Sequence, residues 1–152
     1  MSYESTLSRV ETYFDKTATR TWERLTSDAP VSKIRETVRR GREAMRAQIL
    51  DRLGEDLSGM RVLDAGCGAG PMTAELAQRG AEVVAVDISP SLVKIAEARL
   101  PEGCRRRVTF AAGDMLDPAR GRFDHVVAMD SLIYYRLPDL ARALDGLARR
   151  TQ

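Results

Sequence analysis

The sequence predicts an α/β fold in which a helical amino-terminal arm precedes a parallel sheet. Apolar residues recur at helical spacing up to about residue 53, and beyond residue 60 short apolar strands alternate with helical segments. Such alternation indicates βαβ crossovers and a sheet that is buried on both faces. We therefore divide the chain into an arm, or lid, at residues 1–55 and a sheet domain at residues 56–152.

In the arm, Leu7, Val10 and Phe14 recur at helical spacing, and the pattern continues through Trp22 after a threonine-rich interruption at residues 17–21. A break at residues 28–30 then admits a second helix. One apolar stripe on this helix is formed by Ile34, Val38, Gly41, Met45 and Ile49. The opposing basic residues are Lys33, Arg35, Arg39, Arg40, Arg42 and Arg46. We interpret the basic residues as a solvated face.

Strands are predicted in the second part wherever β-branched residues cluster between helical segments. The predicted strands are residues 61–65, 82–86, 107–111 and 123–129, and the predicted helices are residues 72–79, 90–99 and 138–150. The sequence stops after the last of these helices, which would leave the fourth strand with an edge of unpaired backbone groups. We expect either that the chain is truncated or that something else covers this edge.

Composition excludes several classes of protein. The 152 residues are 43% hydrophobic with a net charge of +2, which is typical of one folded core and not of a disordered or strongly nucleic-acid-binding chain. The apolar runs are far shorter than the roughly 20 residues that span a bilayer, and the first residues lack a secretory signal, so we predict a cytoplasmic protein. The two cysteines, Cys67 and Cys104, offer neither a disulfide framework nor metal-ligand spacing.

A glycine-rich turn follows the first predicted strand, in the sequence Asp64-Ala65-Gly66-Cys67-Gly68-Ala69-Gly70. Glycines there allow positive φ angles and close approach of a ligand to the main chain. Dinucleotide folds use G-x-G-x-x-G to place a pyrophosphate on a helix N-terminus, whereas the spacing here is G-x-G-x-G. The Asp64 carboxylate would repel a pyrophosphate but suits a ligand that carries an ammonium group, so dinucleotide binding is the poorer fit.

These residues resemble the first motif of the class I S-adenosylmethionine-dependent methyltransferases, and the resemblance extends over about residues 60–140. It implies a Rossmann-like fold with strand order 3-2-1-4 and S-adenosylmethionine as methyl donor. Asp87 ends the second strand, where it would accept the ribose hydroxyls, and Asp114 follows the third, where it would receive the adenine amino group. The implied cofactor-binding residues are Asp64, Gly66, Gly68, Gly70, Asp87, Ile88, Asp114, Met115 and Asp130. A role as a turn residue or helix cap would explain either Asp87 or Asp114 alone, but it would not explain the matched placement of both.

The sequence after the fourth strand bears on the substrate. Residues 130–135 read Asp-Ser-Leu-Ile-Tyr-Tyr and lack the paired prolines of enzymes that methylate base amino groups. Phe14 and Trp22 in the arm, with Tyr134 and Tyr135 after the strand, could sandwich a flat apolar substrate. Alternatively, Phe14 and Trp22 only anchor the arm to the core.

A closer resemblance involves the arm itself. Residues 13–18, 22–25, 31–35, 39–42 and 129–135 are similar to the magnesium-protoporphyrin O-methyltransferases of bacteriochlorophyll and chlorophyll biosynthesis. The resemblance implies methyl transfer to a propionate of Mg-protoporphyrin IX, which gives the monomethyl ester. It also implies a longer full-length protein, magnesium chelatase as a partner and, because the substrate is hydrophobic, peripheral association with the photosynthetic membrane. The magnesium then belongs to the substrate, and we expect no protein-bound metal.

A propionate is ionised at neutral pH, so its methylation requires no strong general base. We take Tyr134 as a donor of a hydrogen bond to the reacting carboxylate, and Trp22 and Tyr135 as substrate contacts. Arg20 or Arg24 would hold a second propionate through a bidentate pair. Two alternatives stay open: methylation of another small molecule such as a quinone or carboxylic acid, and a non-catalytic donor-binding fragment.

Overall fold

Four parallel strands form the sheet against which the rest of the chain packs, and the computed structural model describes residues 2–152. The strands are β1 (Arg61–Ala65), β2 (Glu82–Asp87), β3 (Val108–Ala112) and β4 (His125–Val127). Their order is β3-β2-β1-β4, so the predicted fold class and strand order are confirmed. The fourth strand is shorter than predicted, because its regular pairing with β1 covers only residues 125–127.

Helices precede the sheet and connect its strands. They are α1 (Tyr3–Thr12), a π-helix (Tyr13–Ala18), α2 (Thr19–Leu25), α3 (Lys33–Leu53), α4 (Pro71–Gln78), α5 (Pro90–Arg99) and α6 (Leu137–Ala148). Short 3₁₀ helices cover Glu102–Arg107, Pro118–Arg120 and Leu132–Tyr134. As predicted, α5 begins with a Ser89 N-cap, whose hydroxyl accepts a hydrogen bond from the Leu92 amide, and with proline in its first turn.

Both faces of the sheet are buried, as expected for parallel strands. Fully buried residues of one core are Leu57, Val62, Leu76, Ala77, Ala81 and Ala85. The core on the other face is formed by Leu63, Ala65, Val86, Met115, Phe123, Ala143 and Leu147. The carboxyl ends of β1 and β2 are therefore packed from both sides. This packing fixes the direction of the side chains at these ends.

The arm is attached to the sheet domain at α5. Val10, Phe14 and Ala18 form a third buried cluster with Leu92. The Asp15 carboxylate accepts hydrogen bonds from the Ser89 hydroxyl at 3.0 Å and the Ser91 amide at 2.9 Å. The hydrogen bonds from Ser91 are the main cause of a lowered pKa of Asp15. Asp15 thus satisfies an amide at the start of α5 from outside that helix.

The threonine-rich segment does not interrupt the arm, contrary to the prediction. The helical backbone passes from α1 through the π-helix into α2. The Thr19 hydroxyl donates to the Phe14 carbonyl and, at 2.9 Å, to the Asp15 carbonyl. A side-chain hydroxyl therefore compensates for the wider turn, which sequence periodicity alone does not reveal.

The interpretation of the basic residues of α3 as a solvated face holds for Lys33, Arg35 and Arg40, which are exposed. It is wrong for Arg39, Arg42 and Arg46, which are partly buried. The predicted apolar stripe faces outward over most of its length, with Ile34 80%, Val38 46% and Met45 43% exposed. The basic side is partly covered: Arg39 donates to three carbonyls of residues 24–29 at 2.8–3.0 Å. These carbonyls lie at the end of α2 and just beyond it, where the i+4 amides of a continuing helix are missing. A guanidinium has several N–H groups and can donate to all three carbonyls, which an apolar side chain cannot do.

The last residues of the chain pair with Phe123, two residues before the start of β4. Thr151 forms a parallel bridge with Phe123, where the Phe123 amide donates to the Arg150 carbonyl at 2.8 Å and the Gln152 amide donates to the Phe123 carbonyl at 3.0 Å. Within the described residues β4 itself (His125–Val127) pairs only with β1, so the predicted open edge is present there, and the pairing at Phe123 covers only the segment before it.

Candidate active site

The glycine turn after β1 has the conformation that its sequence predicts. Gly66, Gly68 and Gly70 have φ angles of 81°, 54° and 85°. A Cβ on Gly66 would lie 2.2 Å from the Cβ of Ser131, whereas a Cβ on Gly68 would meet nothing within 4 Å. Gly66 thus permits close packing against the turn after β4, and Gly68 leaves its backbone open to a ligand.

Gly70 lies where α4 approaches α5. It does not line the cleft, and a Cβ there would lie 2.8 Å from the Cβ of Ala96 in α5. It also takes the N-cap position of α4 in the left-handed conformation. Gly70 therefore brings α4 and α5 together, and its role in cofactor binding stays a prediction.

Asp64 and Asp87, at the carboxyl ends of β1 and β2, are both buried and both line the cleft. The Asp64 carboxylate accepts a hydrogen bond from the Thr73 hydroxyl at 2.6 Å. Burial raises the pKa of Asp64 to about 6, although the Thr73 hydrogen bond opposes the shift. An uncompensated carboxylate in this position favours a positively charged ligand.

Asp87 fixes the glycine turn as well as lining the cleft. One of its oxygens accepts from the Gly68 amide at 2.8 Å, and the other accepts from the Ser89 amide at 2.9 Å. Burial raises the pKa of Asp87, while these backbone amides act in the opposite direction. Each oxygen retains a further lone pair for a ligand hydroxyl. The turn-residue interpretation and the ligand interpretation are thus compatible at Asp87.

Asp114 follows β3 and lines the same cleft, next to Met115. Its Oδ1 accepts hydrogen bonds from the Tyr3 hydroxyl at 2.9 Å and the Leu116 amide at 2.8 Å. Tyr3 stacks on Tyr135 with ring centroids 6.1 Å apart. Burial, with the nearby Asp114 carboxylate, raises the pKa of Tyr3, so its hydroxyl stays protonated and donates. The sequence analysis did not single out Tyr3 as a site residue.

Asp130 is the one non-glycine residue with positive φ, at 59°, in the described part of the chain. Its carboxylate accepts a hydrogen bond from the Arg42 guanidinium, which also lies over the Trp22 ring at 4.6 Å from the centroid. Arg42 was assigned to the solvated face of α3, and this assignment is wrong. Arg42 and Arg46 share the face of α3 that ends in the buried Leu50, and that continuity was the available signal.

Aromatic side chains of the arm cover the cleft. The Phe14 ring lies 5.8 Å from that of Trp22 and 4.9 Å from that of Tyr134, centroid to centroid. Burial raises the pKa of Tyr134 and, with the Asp114 carboxylate, that of Tyr135 to about 12. Phe14 and Trp22 therefore both anchor the arm and line the cleft, so the two interpretations of these residues are not exclusive.

The structure brings most of the predicted residues to one cleft at the carboxyl edge of the sheet. Of the predicted set the cleft contains Asp64, Gly66, Gly68, Asp87, Ile88, Asp114, Met115, Asp130, Trp22, Tyr134 and Tyr135. Arg20 and Arg24 do not line it: both are exposed, and Arg24 donates to the Pro30 carbonyl at 3.0 Å. The helical turn of α2 that directs Trp22 inward directs these arginines outward.

Over residues 2–152 no group of three or more His, Cys, Asp or Glu side chains is placed to hold a metal ion. None of the helices in the described range combines the length and apolarity that crossing a membrane requires.

Comparison with known proteins identifies the family. A family model described as a methyltransferase domain matches residues 62–152. The magnesium-protoporphyrin O-methyltransferase of Rhodobacter capsulatus is 62% identical over 150 residues, which cover 98% of this chain and 67% of that protein. The chain belongs to the magnesium-protoporphyrin O-methyltransferase family. The family predicted from the arm and the glycine turn is therefore confirmed.

Other members of this family agree in sequence and in structure. The enzyme of the same name from Synechocystis is 32% identical over 143 residues, covering 91% of this chain and 62% of its own. A crystal structure of the Synechocystis magnesium protoporphyrin IX methyltransferase with bound SAH has a TM-score of 0.84 at 28% identity and covers 97% of this chain and 68% of its own. The chain thus spans about two thirds of the length of these relatives, which are longer, as the sequence analysis expected.

Proposed function

We propose that this chain transfers a methyl group from S-adenosylmethionine to a propionate carboxylate of Mg-protoporphyrin IX and so forms the monomethyl ester. The observation that carries the proposal is the 62% identity to the Rhodobacter capsulatus enzyme over 98% of this chain, which includes the arm as well as the sheet domain. Because the relatives are longer, the proposal includes the claim that the residues needed for binding both ligands lie within this chain.

The cleft fits an adenosyl donor. Gly68 leaves open space beside its backbone, the neighbouring Asp87 carboxylate has free lone pairs for ribose hydroxyls, and Ile88 offers an apolar surface to the base. Asp114, at the end of the adjacent strand, retains one oxygen for the adenine amino group. When bound, the donor supplies an electrophilic methyl group on a sulfonium centre.

The acceptor side of the cleft is aromatic and contains a protonated hydroxyl. Trp22, Phe14 and Tyr134 offer flat apolar surface to a porphyrin ring. Because burial raises the pKa of Tyr134, its hydroxyl remains a hydrogen-bond donor at neutral pH and can orient the ionised propionate. Alignment of the reacting groups in a cleft that excludes water is then the main source of rate enhancement.

The test combines a spectroscopic titration with a transfer assay. Mg-protoporphyrin IX is added to the chain while the Soret band is recorded, and the complex is then incubated with methyl-labelled S-adenosylmethionine. We expect a saturable shift of the Soret band and label in a porphyrin ester. The dimethyl ester of the same porphyrin is the control, because it has no carboxylate to accept a methyl group.

Two other outcomes correspond to the alternative functions. Label transfer to a quinone or small carboxylic acid, with no perturbation of the Soret band, would indicate another O-methyltransferase. Donor binding without transfer to any acceptor would indicate a non-catalytic donor-binding fragment. Either result would contradict the proposal.

Association with magnesium chelatase is a further part of the proposal, and it rests on the family resemblance. Peripheral association with the surface of the photosynthetic membrane is another part. Its support is the apolar surface beside the cleft: Ile133 is 71% exposed on the turn that carries Tyr134, and Leu137 is 78% exposed nearby in the sequence. Co-sedimentation with anionic vesicles, compared between the wild type and Ile133→Ser, tests the membrane contact. Equal sedimentation of both would contradict a role for this surface.

A further inference from the structure

Arg42 is the one basic side chain among the residues that line the cleft in the described chain, where four aspartates also occur. Its side chain is 18% exposed, although α3 as a whole is largely exposed. A cleft lined by carboxylates favours cationic groups, so a single guanidinium is the feature that gives it affinity for an anion. The family assignment does not by itself give this residue a role.

The guanidinium is held from two sides. Asp130 pairs with one of its nitrogens, and the Trp22 ring lies against its carbon at 4.6 Å from the ring centroid. A guanidinium carbon over an indole ring is attracted by the ring face, and the N–H groups that Asp130 does not use stay available to a carboxylate. Tyr134 lines the same part of the cleft and carries the proposed acceptor-side hydroxyl.

We propose that Arg42 is the carboxylate-binding residue of the cleft and that it exchanges its pairing with Asp130 for the carboxylate of an incoming ligand. This inference rests on the proposed function for the identity of the ligands. Two of their groups have the required chemistry: the carboxylate of the donor's amino-acid tail and a propionate of the porphyrin.

Electrostatics supports the exchange. Burial lowers the pKa of Arg42, whereas the Asp130 carboxylate acts in the opposite direction, so a negative partner stabilises the guanidinium in the cleft. A ligand carboxylate provides that partner when Asp130 turns to another cation. The donor's own ammonium group is such a cation, and it lies beside the donor carboxylate in the same zwitterion.

The test uses ligand pairs that differ in the carboxylate alone. Calorimetry compares S-adenosylhomocysteine with its decarboxylated analogue, 5′-(3-aminopropylthio)adenosine. Absorbance titration compares Mg-protoporphyrin IX with its dimethyl ester. Both pairs are measured on the wild type, on Arg42→Met and on the control Arg40→Met, whose side chain is 77% exposed on the same helix and does not line the cleft.

We expect the wild type and Arg40→Met to prefer the carboxylate-bearing member of one pair by roughly 10- to 100-fold, the range of a charge-assisted hydrogen bond. In Arg42→Met that preference should disappear, while affinity for the member without the carboxylate is retained. Loss of preference in the adenosyl pair assigns Arg42 to the donor, and loss in the porphyrin pair assigns it to the acceptor.

The proposal is overturned if the wild type does not discriminate within either pair, or if Arg42→Met keeps the wild-type preference. Equal weakening of both members of a pair would also overturn it, because Arg42 would then only support the fold. Where Arg42→Met does not fold, the wild-type comparison still overturns the proposal if neither pair is discriminated. A wild type that ignores the porphyrin would refute the proposed function and leave the adenosyl pair as an independent test.

Discussion

The buried Asp64 carboxyl leads to a prediction about stability and pH. Its pKa rises from 3.8 to about 6 on folding, chiefly because of burial. Between these two pH values the folded chain binds the proton that the unfolded chain releases, so the free energy of unfolding falls as pH rises. At about 1.36 kcal/mol for each pH unit of difference, the ionised carboxylate costs about 3 kcal/mol of stability at neutral pH.

The substitution Asp64→Asn isolates this contribution. An amide stays neutral, and its oxygen can still accept the hydrogen bond from Thr73 that is 2.6 Å long in the wild type. Urea unfolding at several pH values from 4 to 7.5 gives the difference in unfolding free energy between wild type and variant. We expect the wild type to lose about 2.4 kcal/mol relative to the variant over this range, because the unfolded carboxyl is already more than half ionised at pH 4. A difference that is independent of pH would refute the assignment of a raised pKa to Asp64.

Three further substitutions test the geometry of the site and arm. Gly66→Ala should prevent tight binding of S-adenosylhomocysteine and destabilise the chain by about 2 kcal/mol, since its Cβ would lie 2.2 Å from that of Ser131 at a φ of 81°. Gly41→Ala, with nothing within 4 Å in the interior of α3, should instead raise the unfolding free energy by about 0.5–1 kcal/mol. Tyr3→Phe should weaken S-adenosylhomocysteine binding severalfold, because Asp114 loses the 2.9 Å hydrogen bond that orients it. Calorimetry measures donor affinity, and urea unfolding measures the free energy of unfolding. Donor binding of wild-type strength in Gly66→Ala or Tyr3→Phe would contradict the first and third predictions. A lower unfolding free energy in Gly41→Ala would contradict the second.

The acidic half of the site could be predicted because it depends on local patterns alone. Asp64 and Asp87 directly end apolar strands, and in a parallel sheet the carboxyl ends of adjacent strands lie at one edge. The glycine spacing then places Gly68 between them. No knowledge of distant contacts was needed, which is why these residues lie in the cleft as expected.

The basic and aromatic half could be predicted only in part, because its members meet through the path of the arm. Arg42 is separated from Asp130 by 88 residues, and Tyr3 from Asp114 by 111. Helical periodicity ranks a face by its apolar content, so it assigned the stripe containing Ile34 to the packed side of α3 and the arginines to solvent. The actual arrangement follows from carbonyls around the end of α2 and from the Asp130 carboxylate, which accept hydrogen bonds from guanidinium groups and meet them only in the folded chain.

The contacts of the arm also show that it is part of the site and not a separate cover. Tyr3 donates a hydrogen bond to Asp114 after β3, and Arg42 donates one to Asp130 after β4. Asp15 accepts a hydrogen bond from Ser89 at the start of α5, after β2. Each contact is made to a group at the carboxyl edge of the sheet, where the ligands are proposed to bind. A ligand that binds one of these carboxylates in place of an arm residue changes the free energy of arm attachment. By linkage, the position of the arm changes the affinity for that ligand by the same factor.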